Sequence, residues 1–274
     1  MADPLVSVVT PSFNVRPFLA ECLASVASQT MTDFEHLVMD GGSTDGTVEL
    51  LEAWSGHHVD WVSEPDRGQS HAVNKGLDRA RGNIVAWLNG DDLYEPWALA
   101  RVAELFARDG ELDLIYGFAL MIDAEGRVVR MARHPRPRLE DIYLFTPFLH
   151  QPSVFFRRRV VDRFGGLDEG LHYAMDYEYW LRIGRNVKAL FAPEIFSRIR
   201  HRPGSKMDDP GFRAHYRAMR KLYLANGGRR FSPMLLERLL DRIVAYPAFM
   251  ASWPLRRLLW KAMGVPWGEP LRLY

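Results

Sequence analysis

The chain has 274 residues, 47% of them hydrophobic and 25% charged, with a net charge of +1. That length holds one large α/β domain, or a core plus a smaller appendage, and the near-neutral charge gives no global pull toward nucleic acid. The average hides an asymmetry: residues 200–274 carry fifteen Lys and Arg against five Asp and Glu, an excess of +10, which leaves −9 for residues 1–199.

A single cysteine, Cys22, excludes an internal disulfide and a cysteine-only zinc site, and suits a reducing cytoplasm. Ahead of Val6 there is neither the basic start nor the apolar run of a signal peptide. No stretch reaches the roughly 20 apolar residues of a membrane span. A cytoplasmic protein is expected.

In chain order, residues 6–10 read as a strand, and Phe18, Leu19, Cys22, Leu23 and Val26 form a helical stripe. Strands follow at 34–40, 59–63 and 84–89, alternating with helices at 47–54, 69–80 and 96–108. This rhythm predicts a mostly parallel sheet covered on both faces, with ligands beyond the carboxyl ends of its strands. The rhythm then changes. Strand patterns lie at 112–116, 118–122, 127–131, 153–156, 187–191 and 195–199, with a helix at 177–183. The tail reads as helices at 211–226, 233–246 and 255–263.

Polar residues cluster where the strands end. The first strand runs into Thr10-Pro11-Ser12-Phe13-Asn14, and the second into Asp40-Gly41-Gly42-Ser43-Thr44-Asp45-Gly46-Thr47. The third runs into Glu64-Pro65-Asp66-Arg67-Gly68, and the fourth into Asn89-Gly90-Asp91-Asp92. One such ending is an ordinary turn with a helix cap; four in succession point to a site. Adjacent carboxylates at Asp91 and Asp92 repel unless a cation or hydrogen bonds compensate, and hard oxygen ligands suit Mg²⁺ or Mn²⁺. The alternative is that Asp92 caps the next helix. Asp45 reads as a helix cap and Asp40 as a functional acid.

These strings, together with Gly68-Gln69-Ser70, Asn74-Lys75-Gly76, Gly165-Gly166-Leu167-Asp168-Glu169 and Met175-Asp176-Tyr177-Glu178-Tyr179-Trp180, resemble glycosyltransferase family 2 over about residues 5–205. The resemblance implies a GT-A fold: a Rossmann-like, mixed but mostly parallel sheet flanked by helices. Here it would form a catalytic domain over 1–205, with a nucleotide-sugar half (1–110) and an acceptor half (111–205), followed by a helical, basic extension over 206–274. The implied activity is inverting transfer of a sugar from a nucleotide-sugar donor to a glycan or lipid-linked acceptor, in polysaccharide or cell-envelope synthesis.

Residue by residue, the resemblance places Thr10, Pro11, Asn14 and Asp40 at the nucleoside, and Asp66 and Arg67 near the nucleotide. Asn89-Gly90-Asp91 falls on the family's D-x-D position, with Asn in place of the first acid. Asp91 and Asp92 would hold a divalent metal, Mn²⁺ or Mg²⁺, with His201 as a third ligand. Asp176 matches the catalytic base, although Met175 stands where relatives often carry Glu. As a residue preceding a helical pattern, Asp176 also reads as an N-cap. Tyr179, Trp180 and Phe191 are expected in the core.

The tail pairs Leu235, Leu239 and Ile243, then Trp253, Leu258 and Trp260, with flanking arginines. Such basic amphipathic helices suit peripheral contact with the inner face of a membrane, or packing on the domain. Two other functions compete: a nucleotide-sugar-forming nucleotidyltransferase, and an inactive nucleotide-sugar-binding module. The first lacks its Gly-rich basic loop here, and the second is at odds with so many retained acids. A dehydrogenase is disfavoured, since no G-x-G-x-x-G follows a strand.

Overall fold

The structure, a computed structural model, describes residues 3–54, 59–132, 139, 149–206 and 211–226. The first half follows the expected alternation: β1 (Val6–Ser12), α1 (Arg16–Ala27), β2 (Phe34–Asp40), α2 (Thr47–Trp54), β3 (Val59–Ser63), α3 (Gln69–Arg79) and β4 (Ile84–Trp87). β1 lies parallel between β2 and β4, and β3 pairs parallel outside β2. The chain thus moves outward on one side of β1 and then returns to its other side. This change of direction opens a crevice at the carboxyl ends of the strands.

The second half supplies β5 (Leu93–Tyr94), α4 (Ala98–Arg108), β6 (Leu114–Ile122), β7 (Val128–Ala132), β8 (Val154–Arg157), α5 (Arg158–Phe164), α6 (Met175–Ile183), β9 (Ala189–Arg200) and α7 (Gly211–Ala225). Among the described residues the sheet has nine strands and runs β3-β2-β1-β4-β8-β6-β9-β5, with β7 on β6. β8 is antiparallel to both β4 and β6, whereas β6 and β9 are parallel. The expected mixed, mostly parallel sheet is therefore present.

Several elements differ from the expectation. The strands expected at 112–116 and 118–122 are one strand, β6 (Leu114–Ile122), and those expected at 187–191 and 195–199 are one strand, β9 (Ala189–Arg200). The β6–β9 register jumps between Tyr116↔Phe191 and Phe118↔Ile195. The surplus residues of β9 at this irregularity include Pro193, which cannot donate to a ladder. Gly117 permits this: a Cβ there would meet the Phe196 ring at 2.6 Å and the Glu194 carbonyl at 2.7 Å. The helix expected from 96 starts at Ala98, because β5 first pairs with β9. α5 was not foreseen. The helix expected at 177 starts at Met175, with Ala174 as its N-cap, so Asp176 is not the cap.

Each face of the sheet has its own core. One gathers Leu19, Cys22, Leu23 and Val26 of α1 with Leu51 of α2 and Leu99, Val102 and Phe106 of α4. The other gathers Ala72, Val73 and Leu77 of α3 with Val160, Tyr179 and Trp180, and with Met219 and Tyr223 of α7. Phe191 packs on this second core. Burying each such large apolar side chain contributes ~1.5–3 kcal/mol. α7 is thus held on the domain by its apolar face. The helices expected at 233–246 and 255–263 lie outside the described residues.

Candidate active site

The ends of β2 and β3 are locked by one carboxylate. Asp40 is fully buried. Its Oδ2 accepts from the Gly42 and Ser43 amides (3.1 and 2.9 Å) and from Ser63 Oγ (2.6 Å), while Oδ1 accepts from Ser43 Oγ (2.5 Å). Asp40 therefore shapes the glycine loop that follows it. Asn14, in the left-handed region at φ 49°, ties β1 to the same loop: its amide N–H donates to Ser43 Oγ, and its Oδ1 accepts from Thr44 N, both at 2.8 Å. Asp45 accepts from Thr47 N and Oγ1 at the head of α2, the capping role expected of it.

Thr10 and Pro11 are buried beneath this rim. The Thr10 hydroxyl is 2.8 Å from His36 Nε2, and burial pushes the His36 pKa down to about 3. Asp66 accepts from Gly68 N at 2.7 Å. It fills the space beside Gly41, where a Cβ would lie 2.5 Å from Asp66 Oδ2. Arg67 is exposed and pairs with Glu169 at 2.5 Å, joining the third strand end to the loop between α5 and α6.

Beyond β4, the buried Gly90 leads into Asp91 and Asp92. Asp92 is 3% exposed and points inward. Its Oδ1 accepts from Arg200 N (2.9 Å), and its Oδ2 from Asn89 Nδ2 (3.0 Å). Burial, followed by the charge of Asp91, pushes its pKa up to about 8. Asp91 is half-buried, and its Oδ2 accepts from Arg202 Nε at 2.9 Å. Arg200 reaches back with its guanidinium to the Asp91 carbonyl and to Glu21.

Residues 200–206, leaving the end of β9, cross the crevice. His201 is exposed, and its amide donates to Ile122 O at 2.8 Å. Lys206 Nζ donates to Gln69 Oε1 (3.0 Å) and to His172 O (3.1 Å). Burial lowers its pKa, while the nearby charges of Asp176 and Asp66 raise it. Asp176 is half-buried in the first turn of α6, just after Ala174 at φ 58°. A non-glycine residue in that region turns the chain sharply into the helix.

The fold thus places Asp40, Asp66, Asp91 and Asp92 at or just beyond the carboxyl ends of the parallel strands, with Asp66 and Asp176 near Lys206. Among the described residues, no three His, Cys, Asp or Glu side chains form a ready-made metal site. Gln151 was not singled out as a site residue. Its Oε1 accepts from Asn89 Nδ2 at 3.0 Å, and its Nε2 donates to Trp87 O.

A mixed, mostly parallel sheet flanked by helices, with acids at the carboxyl ends of its parallel strands, is an α/β architecture of the GT-A type. The family described as glycosyl transferase family 2 matches residues 7–165. The chain belongs to that family and is a glycosyltransferase. It is 30% identical over 205 residues to a PGL/p-HBAD biosynthesis glycosyltransferase of Mycobacterium tuberculosis, covering 73% of this chain and 75% of the relative. It is 29% identical over 182 residues to the chondroitin synthase of Escherichia coli, covering 66% of this chain and 26% of the relative. Two solved structures share the fold. S. aureus TarS 1-349 in complex with UDP-GlcNAc has a TM-score of 0.64 at 22% identity, over 79% of this chain and 65% of that one. Mannosyltransferase PcManGT from Pyrobaculum calidifontis, in complex with GDP-Man and Mn2+, has a TM-score of 0.63 at 23% identity, over 83% and 65%.

Proposed function

We propose that the protein moves a sugar from a nucleoside-diphosphate donor to an acceptor hydroxyl with inversion, using a divalent cation at Asp91 and Asp176 as base. The supporting observation is that residues 200–206 engage the acids of both halves. They hold Asp91 and Asp92 by hydrogen bonds, and Lys206 lies in the field of Asp66 and Asp176. This supports a reading in which donor-side and acceptor-side acids face one space.

The side chains suit Mg²⁺ or Mn²⁺, which bind through one or two carboxylates together with substrate phosphates. Among the described residues only Arg202 bonds the Asp91 carboxylate, through Oδ2. Asp92 would have to give up its bonds to Asn89 and Arg200, so the exposed His201 is the better second ligand. When bound, the cation offsets charge that develops on the departing diphosphate. Arg202 and Lys206 add positive charge along the same crevice. Thr10, Pro11, Asn14 and the Asp40 loop form the nucleoside end, with Asp66 and Arg67 beside it and Asn89-Gly90 closing its floor. Asp176 takes the proton of the acceptor hydroxyl, which is a poor nucleophile until deprotonated. Attack from the face opposite the leaving group inverts the anomeric carbon without a covalent protein intermediate.

A polysaccharide or lipid-linked acceptor is supported by the relatives' names, and a cytoplasmic enzyme docked on an anionic membrane face by the basic tail. No helix among the described residues is long and apolar enough to cross a membrane. The test is a thermal-shift panel of UDP, GDP, dTDP and CMP, each with and without Mn²⁺. A ligand at 100 times its dissociation constant adds about 2.7 kcal/mol of stability. Metal-dependent stabilisation by one diphosphate names the donor class; no response to any nucleotide sinks the donor reading.

A further inference from the structure

Position 89 carries an amide where the family's motif has an acid, and the surroundings of that amide are complementary to both of its faces. Asn89 Oδ1 accepts from Trp87 Nε1 at 2.9 Å and from Gln69 Nε2 at 2.7 Å. An indole N–H can only donate, so the orientation of the amide follows from chemistry. Asn89 Nδ2 therefore faces the other way, donating to Asp92 Oδ2 and Gln151 Oε1, each at 3.0 Å.

The pattern propagates in both directions. With its Oε1 used by Asn89, Gln151 turns its Nε2 to the Trp87 carbonyl. With its Nε2 used by Asn89, Gln69 presents its Oε1 to Lys206 Nζ at 3.0 Å. Asp92, held by Asn89 on one oxygen, fixes the Arg200 amide with the other. One side chain therefore sets the places of Asp92, behind Asp91, and of Lys206, in the field of Asp176.

We propose that Asn89 is a positioning residue and that the amide, not an acid, is what this site requires. Aspartate at 89 would keep the bonds from Trp87 and Gln69 but would have no N–H for the other face. It would set an oxygen against Gln151 Oε1 at hydrogen-bond distance, two acceptors with no proton between them, and against Asp92 Oδ2, where one of the two carboxyls would have to keep a proton to bridge the pair. Turning Gln151 over would only move the conflict, since its Oε1 would then face the Trp87 carbonyl. The acid would thus loosen the donor-side carboxylates and, through Gln69, the lysine beside the base.

This inference rests on the donor reading above, and the test separates the two. Wild type, Asn89→Asp and the swap Asn89→Asp/Asp92→Asn are compared by melting temperature without ligand, and by calorimetric titration of UDP and of GDP with Mn²⁺. The swap keeps the charge of the wild type and returns an N–H between positions 89 and 92. Asn89→Asp should melt at least about 3 °C lower. It should also bind the diphosphate that wild type binds about tenfold more weakly, the scale of one charge-assisted hydrogen bond. The swap should recover part of both losses. Equal or tighter diphosphate binding by Asn89→Asp would overturn the proposal, as would a swap no better than the single variant. A melting loss with unchanged affinity would reduce Asn89 to a structural residue. If wild type binds neither diphosphate, dTDP and CMP are titrated as well; failure of all four fells the donor reading, and a swap that then melts no higher than Asn89→Asp overturns the requirement for the amide.

Discussion

Asp40 offers the sharpest test of how the donor rim is built. Its buried carboxylate collects two backbone amides and two serine hydroxyls. Asp40→Ala removes the acceptor for all four. The hydroxyls can rotate to other partners, but the Gly42 and Ser43 amides lose theirs in a crowded turn where Gly42 sits at φ 83°. Each buried donor left unpaired costs about 1–3 kcal/mol, so a loss of about 3–5 kcal/mol is expected after partial hydration. Asp40→Asn is the control. Its oxygen can keep the contacts of Oδ2, and its amide can donate to a reversed Ser43 hydroxyl, so it should cost only about 1–2 kcal/mol. Urea unfolding read by tryptophan fluorescence measures both. If Asp40→Ala costs less than ~1 kcal/mol, or no more than Asp40→Asn, the carboxylate does not organise the loop and the reasoning fails.

Asp176→Asn should lower the rate of sugar transfer by about 10²–10⁴, the usual contribution of general base catalysis, while leaving diphosphate affinity unchanged; steady-state rates with paired binding data check this. His36 makes stability depend on pH. Its folded pKa lies near 3 while the unfolded chain titrates near 6.5. As pH falls below the unfolded value, only the unfolded state takes up the proton, so stability present above that pH is lost at up to about 1.4 kcal/mol per unit until the folded pKa is reached. Denaturant midpoints at pH 7 and pH 5 should differ by about 2 kcal/mol from this residue alone, and His36→Gln should flatten the difference. Gly76→Ala should destabilise by about 1–3 kcal/mol, because α3 rests so closely on β1 that a Cβ would enter the Val9 side chain; thermal melting measures it.

The alternating half of the fold was legible because each strand and helix there shows its own period. The β6–β9 pair was not: Gly117 and Pro193 look like breaks in a one-dimensional pattern, and only the partner strand shows that they form one bulge within continuous strands. α5 escaped because Arg158, Arg159, Asp162 and Arg163 mask a short apolar stripe in which only Val160 is buried. For the site, chain position identified the acids, while their division of labour needed coordinates. Asp91 and Asp92 are neighbours in sequence, yet one faces Arg202 at the crevice and the other lies sealed beneath it. The role of Gln151 depends on a partner 62 positions away and leaves no local signature.

The single thiol gives this fold a built-in reporter of its own opening. Cys22 lies with no exposed surface between α1 and the sheet, and burial pushes its pKa up. Only the thiolate attacks alkylating and disulfide reagents, so the native protein should be silent to them, and each labelled molecule marks one that has exposed the α1 face. Because the sulfur lies within 3.5 Å of the Asn89 carbonyl, that clock runs at the root of the crevice. Changes in labelling rate on adding a nucleotide would show whether a ligand tightens the ground beneath it, with no probe introduced into the chain.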